Sequence, residues 1–250
     1  MTVWEAIGVV LAGVFAGGIN TVVGSGTLVT FPVLLAVGYP PVVANVSNSL
    51  GLVPGSVTGA IGYRRELAGQ GKRLVRLGSA SLLGGLVGAV LLLVLPPEAF
   101  ETIVPVLIAL ALVLVVAQPW LARKLGERQS EVHVHGSVGL LLAVFATGVY
   151  GGYFGAAQGV LLLAIMGILM DESLQRINGI KNVLAAIVNL ASGVVFIFIA
   201  DVAWLAVALI AVGAVIGGLI GAKIGRKLPP AVLRGVIVVV GVAAIVQLLV

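Results

Sequence analysis

Apolar stretches near 3–19, 26–38, 43–62, 76–95, 102–121, 137–154, 159–170, 177–199, 203–222 and 232–250 follow one another along the chain, parted by short runs of Gly, Pro and charged residues. About 20 consecutive apolar residues make one helical crossing of a bilayer. A soluble fold carries charge on about a quarter of its residues and needs that charge to cover its surface. Here 9% are charged and 60% hydrophobic. The pattern predicts an all-α fold, a polytopic membrane helix bundle in the lipid bilayer. The 35 glycines suit it, because small residues let membrane helices approach closely. The first stretch has Glu5 where a secretory leader would carry Lys or Arg, and is read as a retained membrane segment.

The chain reads as one transmembrane domain, 1–250, built from two repeats, about 3–121 and 137–250, with a cytoplasmic linker at 122–136. Gly84-Gly85-Leu86-Val87-Gly88-Ala89 recurs 133 residues later as Gly217-Gly218-Leu219-Ile220-Gly221-Ala222, and Leu95-Pro96-Pro97 as Leu228-Pro229-Pro230. Gly18, Gly26, Leu28 and Asn45 meet Gly151, Gly159, Leu161 and Asn178 at the same spacing. Equivalent loops carry opposite charge. Arg64, Arg65, Lys72, Arg73 and Arg76 follow the third stretch, whereas its counterpart at 197–209 holds Asp201 and no Lys or Arg. The loop 96–101 has Glu98 and Glu101, while 223–234 has Lys223, Arg226, Lys227 and Arg234. Basic loops stay in the cytoplasm. The repeats are therefore expected to be inverted, five helical segments each, with both termini outside the cell membrane.

Two segments, the second and seventh, are short, and Gly-rich breaks precede them at 20–25 and 155–158. Short broken segments at matching places in inverted repeats are the pattern of secondary transporters. Irregular backbone at membrane depth is tolerated where it is buried or lines a cavity, and helix N-termini favour an anion. A polar stripe accompanies the breaks. Asn178, Lys181, Asn182, Asn189 and Ser192 fall on one face of the eighth segment, and the third presents Asn45, Asn48, Ser49, Ser56 and Gly59 in the same register. Such residues either hydrogen-bond between helices or line a substrate path. For Lys181, a cation inside a spanning helix, two readings stand. Its stem lifts the ammonium to the interface, or the ammonium faces a cavity and attracts an anion, with Asn178 and Asn182 donating to the same guest. Arg176 belongs at the interface, where it draws anions toward a cytoplasmic mouth. Gln158 is placed to bond substrate or freed backbone. Tyr150, Tyr153 and Phe154 either line the cavity or pack.

Other chemistries are disfavoured. No cysteine is present, so thiolate catalysis and cysteine metal sites fall away, and His133 and His135 stand in one polar stretch with no further ligands near. No metal site and no cofactor is expected. The net charge of +5 sits in short loops, not in a nucleic-acid surface. No carboxylate stands mid-membrane, where proton relays are found, and no enzyme signature is present.

The same residues resemble a known family. Ala16-Gly17-Gly18-Ile19-Asn20-Thr21-Val22-Val23-Gly24-Ser25-Gly26-Thr27, then Phe31-Pro32-Val33-Leu34-Leu35 and Gly38-Tyr39-Pro40-Pro41-Val42-Val43-Ala44-Asn45, is similar to the first repeat of the sulfite exporter TauE/SafE family. Gly151 to Gly159 and Arg176-Ile177-Asn178-Gly179-Ile180-Lys181-Asn182 resemble its second. The resemblance implies a permease of the cytoplasmic membrane moving small sulfur-containing anions such as sulfite, sulfoacetate or other sulfonates, commonly outward. It marks Asn20, Thr21, Gly24, Ser25, Gly26 and the stretch from Gly155 to Gly159 as candidate site positions. The second break departs from the family's glycine run, with Ala156-Ala157-Gln158 in its place. An anion channel, or a membrane assembly subunit without transport, are the alternative readings; a homo-oligomer is compatible with all three.

Overall fold

The computed structural model describes residues 1–126 and 138–224, with isolated positions between 235 and 246. Among the described residues there are nine helices: α1 (Val3–Val22), α2 (Thr27–Ala36), α3 (Pro41–Gly62), α4 (Gly71–Val94), α5 (Pro97–Gly126), α6 (Val138–Tyr153), α7 (Gln158–Leu169), α8 (Leu174–Ile199) and α9 (Trp204–Ile224). Each answers to one predicted stretch. The stretch 232–250, the histidines and most of the expected linker lie outside the described residues. Helix α5 runs on to Gly126.

Among the described residues five helices are long and apolar enough to cross a membrane: Val3–Val22, Gly71–Val94, Pro97–Ala117, Leu174–Ile199 and Trp204–Lys223. The 22-residue α3 has the length to span, and its polar stripe lowers its hydropathy. With 10 and 12 residues, α2 and α7 rise only about 15 and 18 Å, half of a hydrocarbon core of about 30 Å. Local chemistry sets the starts. Thr2 and Glu5 close a capping box on α1, Glu5 N donating to Thr2 Oγ1 at 3.3 Å and Thr2 N to Glu5 Oε2 at 2.7 Å. Pro41 opens α3, and Ser173 accepts from Arg176 N to start α8.

Packing follows the repeated glycine motif. A Cβ on Gly84 or Gly88 of α4 would strike backbone atoms of α6 at 2.3 and 2.1 Å, and one on Gly85 would crowd Val188 of α8 at 3.2 Å. On α9, a Cβ on Gly217 would reach Val14 O of α1 at 1.9 Å, and one on Gly218 would meet Thr58 of α3. The fourth helix of each half thus wedges its glycines between the first and third helices of the other half. Without side chains at these points the backbones approach and gain dispersion contacts, which drive helix association in lipid.

The repeat is not in one ungapped register. Gly24 and Gly155 are the matching bends: φ is +88° and +76°, and their amides bond Ile19 O and Tyr150 O, each at 3.0 Å. That pairing is 131 residues apart, not 133. The two extra residues of α7 over α2 restore the longer spacing, so that Pro41 and Leu174 open equivalent helices 133 apart.

Candidate functional site

The ends of α1 and α6 and the starts of α2 and α7 meet inside the bundle. Val22 ends α1, Gly24 turns the chain in the left-handed region, and Thr27 starts α2; Tyr153, Gly155 and Gln158 do the same in the second half. The two breaks touch. Gly159 N donates to Gly24 O at 3.0 Å, and a Cβ built on either glycine would lie 2.4 Å from the Cα of the other. Only glycine permits that approach, which is why both positions carry one.

Helix α8 lays its polar stripe on this junction. Lys181 is fully buried, and its Nζ donates to Asn20 O at 2.9 Å and Thr21 O at 3.3 Å. Asn178 Nδ2 and Asn182 Nδ2 each donate to Thr21 O at 3.2 Å. These carbonyls end α1 and carry the partial negative charge of a helix C-terminus, which suits an ammonium. The side chain is buried along its whole length, and its ammonium ends on these carbonyls. Among the described residues no carboxylate pairs with it.

Helix α3 makes the reciprocal contact with the other break. Asn45 Nδ2 donates to Tyr153 O at 2.9 Å, where α6 ends. Asn48, matching Lys181 in the repeat, is fully buried and turns to α2 instead, donating to Thr27 Oγ1 at 3.2 Å and accepting from Thr30 Oγ1. Asn20 Nδ2 reaches Ser56 Oγ on α3 at 3.2 Å. A Cβ on Gly59 would lie 2.9 Å from Thr21 Oγ1 and 3.6 Å from Asn182 Cγ, so the far end of the α3 stripe closes on the same junction. The stripes therefore do more than face each other: each binds the broken helix of the opposite half.

Of the predicted positions, Asn20, Thr21, Gly24, Asn178, Lys181 and Asn182 converge directly. Ser25 is buried beside them, and its Oγ has no protein partner. Gly26 approaches Ala16 O, and Gly155 supplies the second bend. Gln158 is buried against Gly151 in its own half, with Nε2 unpartnered; Ser49 is buried. Sequence reasoning missed Thr27 and Thr30, whose spacing of three on α2 places both on one face, toward Asn48. It also left Tyr153 open. That ring packs on Phe100 with centroids 5.7 Å apart, and its hydroxyl is buried without a partner. Phe154 packs edge-on against Phe31 and Phe100, and Tyr150 donates its hydroxyl to Ala156 O, bracing the second break.

Several donors and acceptors are thus buried and unspent: Ser25 Oγ, Gln158 Nε2, Tyr153 OH, Asn45 Oδ1 and Asn178 Oδ1. Leaving such a group unpaired costs about 1–3 kcal/mol.

The chain matches the sulfite exporter TauE/SafE family over residues 9–248. It belongs to that family. Among curated relatives it is 26% identical over 235 residues to the probable membrane transporter protein YfcA of Escherichia coli K12, covering 94% of this chain and 86% of the relative. It is 25% identical over 240 residues to the probable membrane transporter protein ORF9 of a Sinorhizobium species, covering 96% and 90%. A probable membrane transporter protein of Haemophilus influenzae is 25% identical over 206 residues, covering 82% and 79%. No solved structure matches the chain. Family and apolar helices together make this TauE/SafE protein a multi-pass membrane protein of a transporter family.

Proposed function

We propose that this TauE/SafE protein is a secondary transporter that carries small sulfur oxyanions, sulfite or an organic sulfonate, across the cell membrane. The observation that carries this reading is Lys181: a fully buried cation, held by the carbonyls that end a broken helix and paired with no carboxylate among the described residues. A cation placed so is costly in a membrane, and a guest anion supplies the charge it lacks. Donors for the anion's oxygens are the amides of Asn178 and Asn182, which share Thr21 O with the ammonium, and Ser25 Oγ and Gln158 Nε2, buried and unpaired in the two breaks. The oxygens of sulfite or a sulfonate would replace Asn20 O and Thr21 O as acceptors for the ammonium. That exchange releases the end of α1 from α8 and couples occupancy to the packing of the two halves.

The charge bias of the loops supports the orientation: basic loops in the cytoplasm, inverted halves, both termini outside. The exchange of partners between halves through the glycine motif supports the same relation.

The test is transport by the purified protein in liposomes, loaded with labelled sulfite, sulfoacetate or a carboxylate control. Saturable movement of the sulfur anions, accelerated by the same anion on the far side, is the expected result. Movement of no anion above protein-free background would remove the reading, and flux without counter-acceleration would replace it with a channel.

A further inference from the structure

A second polar feature lies away from the buried junction, where the α3–α4 and α7–α8 connections meet. A cavity of about 490 Å³ opens there, lined by Gln70, Lys72, Arg73, Arg76, Glu172 and Arg176 among others. Four cations and one carboxylate are among its lining residues. Glu172 pairs with two of the cations, Arg73 Nη1 at 2.6 Å and Arg176 Nε at 3.1 Å, which fixes both guanidiniums at the rim. The 24-residue helix α4 begins at this cavity, and no side chain caps it. Gln70, at its N-cap position, is 3% exposed. Its Oε1 accepts from Arg73, and its Nε2 has no partner. A buried amide donor left unspent at an uncapped helix start, inside a ring of cations, is an arrangement for binding oxygens of negative charge.

We propose that this cavity is a second anion site, taking a phosphate- or sulfate-type oxyanion, with Gln70 Nε2 and Lys72 as its specific donors. Its volume exceeds a single tetrahedral anion, so the same chemistry arrives as a free ion or as the phosphate of an anionic lipid headgroup. The site stands on its own geometry, and holds whether or not the Lys181 junction moves anions.

The probe is sodium phosphate, titrated into the full chain in non-ionic detergent and read by thermal unfolding and calorimetry. Phosphate binds saturably and more weakly as NaCl rises. Gln70→Met, of similar size, weakens binding about tenfold or more through the lost charge-assisted hydrogen bond. Lys72→Gln, at an exposed position, weakens it about twofold to fivefold and leaves folding untouched. Lys181→Gln leaves it unchanged. In nanodiscs, phosphatidylglycerol in place of phosphatidylcholine lowers the apparent phosphate affinity if the lipid headgroup is the natural occupant; equal affinity in both assigns the site to a free ion. The proposal falls if neither phosphate nor phosphatidylglycerol binds, or if phosphate binding survives both Gln70→Met and Lys72→Gln, whatever Lys181→Gln does.

Discussion

Lys181 Nζ lies 2.9 Å from the backbone oxygen of Asn20, two residues from the end of α1. The bond ties the eighth helix to the first break, across the two halves of the chain. A lysine kept for stability would be a poor choice there, since a cation at membrane depth costs about 2.5–3.5 kcal/mol or more. Lys181→Met removes the charge and keeps most of the apolar stem. It should leave the unfolding temperature in detergent near that of the parent, because the burial cost vanishes along with the hydrogen bonds. Transport of the sulfur anion in liposomes should fall at least tenfold, about 1.4 kcal/mol in the barrier. Full-rate transport by a folded Lys181→Met protein would count against the site.

Gly24 and Gly159 show how much of the junction depends on missing side chains. Alanine at Gly24 meets two penalties: a left-handed φ of +88° and a Cβ 2.4 Å from Gly159 Cα. Gly38 isolates the first, with φ +97° and nothing within 4 Å. Gly38→Ala should cost about 1 kcal/mol. Gly24→Ala should add about 1–3 kcal/mol of overpacking to that, and should depress transport as well. Thermal unfolding of both variants in the same detergent measures the difference; equal losses would mean the two breaks do not need their close approach.

Helix positions were legible because every helix in lipid satisfies its own backbone, so apolar length and Gly/Pro punctuation nearly determine it. The ends moved by a few residues where capping decides, as at Pro41 and Ser173. The polar stripe of α8 was legible from its spacing, and the three donors on it do converge. What they converge on was hidden, since the acceptors are backbone oxygens of Asn20 and Thr21, and backbone has no letter in a sequence. The register of the first helices misled for a related reason. Gly26 and Gly159 share a letter at the 133 spacing, but the geometry that matters is the bend at Gly24 and Gly155. Thr27 and Thr30 hid in a segment whose apolar letters dominated it.

The aromatic cluster beneath the second break gives a prediction about scaffold. Phe154 stands with its ring centroid 5.2 Å from Phe31 and 6.0 Å from Phe100, in edge-to-face contact with both. It is almost fully buried. Phe154→Ala should cost about 3–5 kcal/mol, whereas Phe154→Leu should cost clearly less because it fills most of the volume. Unfolding in detergent reads the pair. An alanine variant as stable as the parent would show that α2, α5 and the second break are held together by something other than these rings.

The inverted arrangement of the halves can be tested without any substrate, and the absence of native cysteine makes the background clean. Lys72, Glu98 and Asp201 are all exposed, one in a basic connection and two in acidic ones. If the basic connections are cytoplasmic, Lys72→Cys reacts only with a reagent that enters the cell. Glu98→Cys and Asp201→Cys react with a charged maleimide added outside. The decisive comparison is between Lys72 and Asp201. Both follow the third helix of a half, so repeats in the same orientation would place them on the same face, whereas inverted repeats separate them. Labelling of the two from one side would remove the inversion.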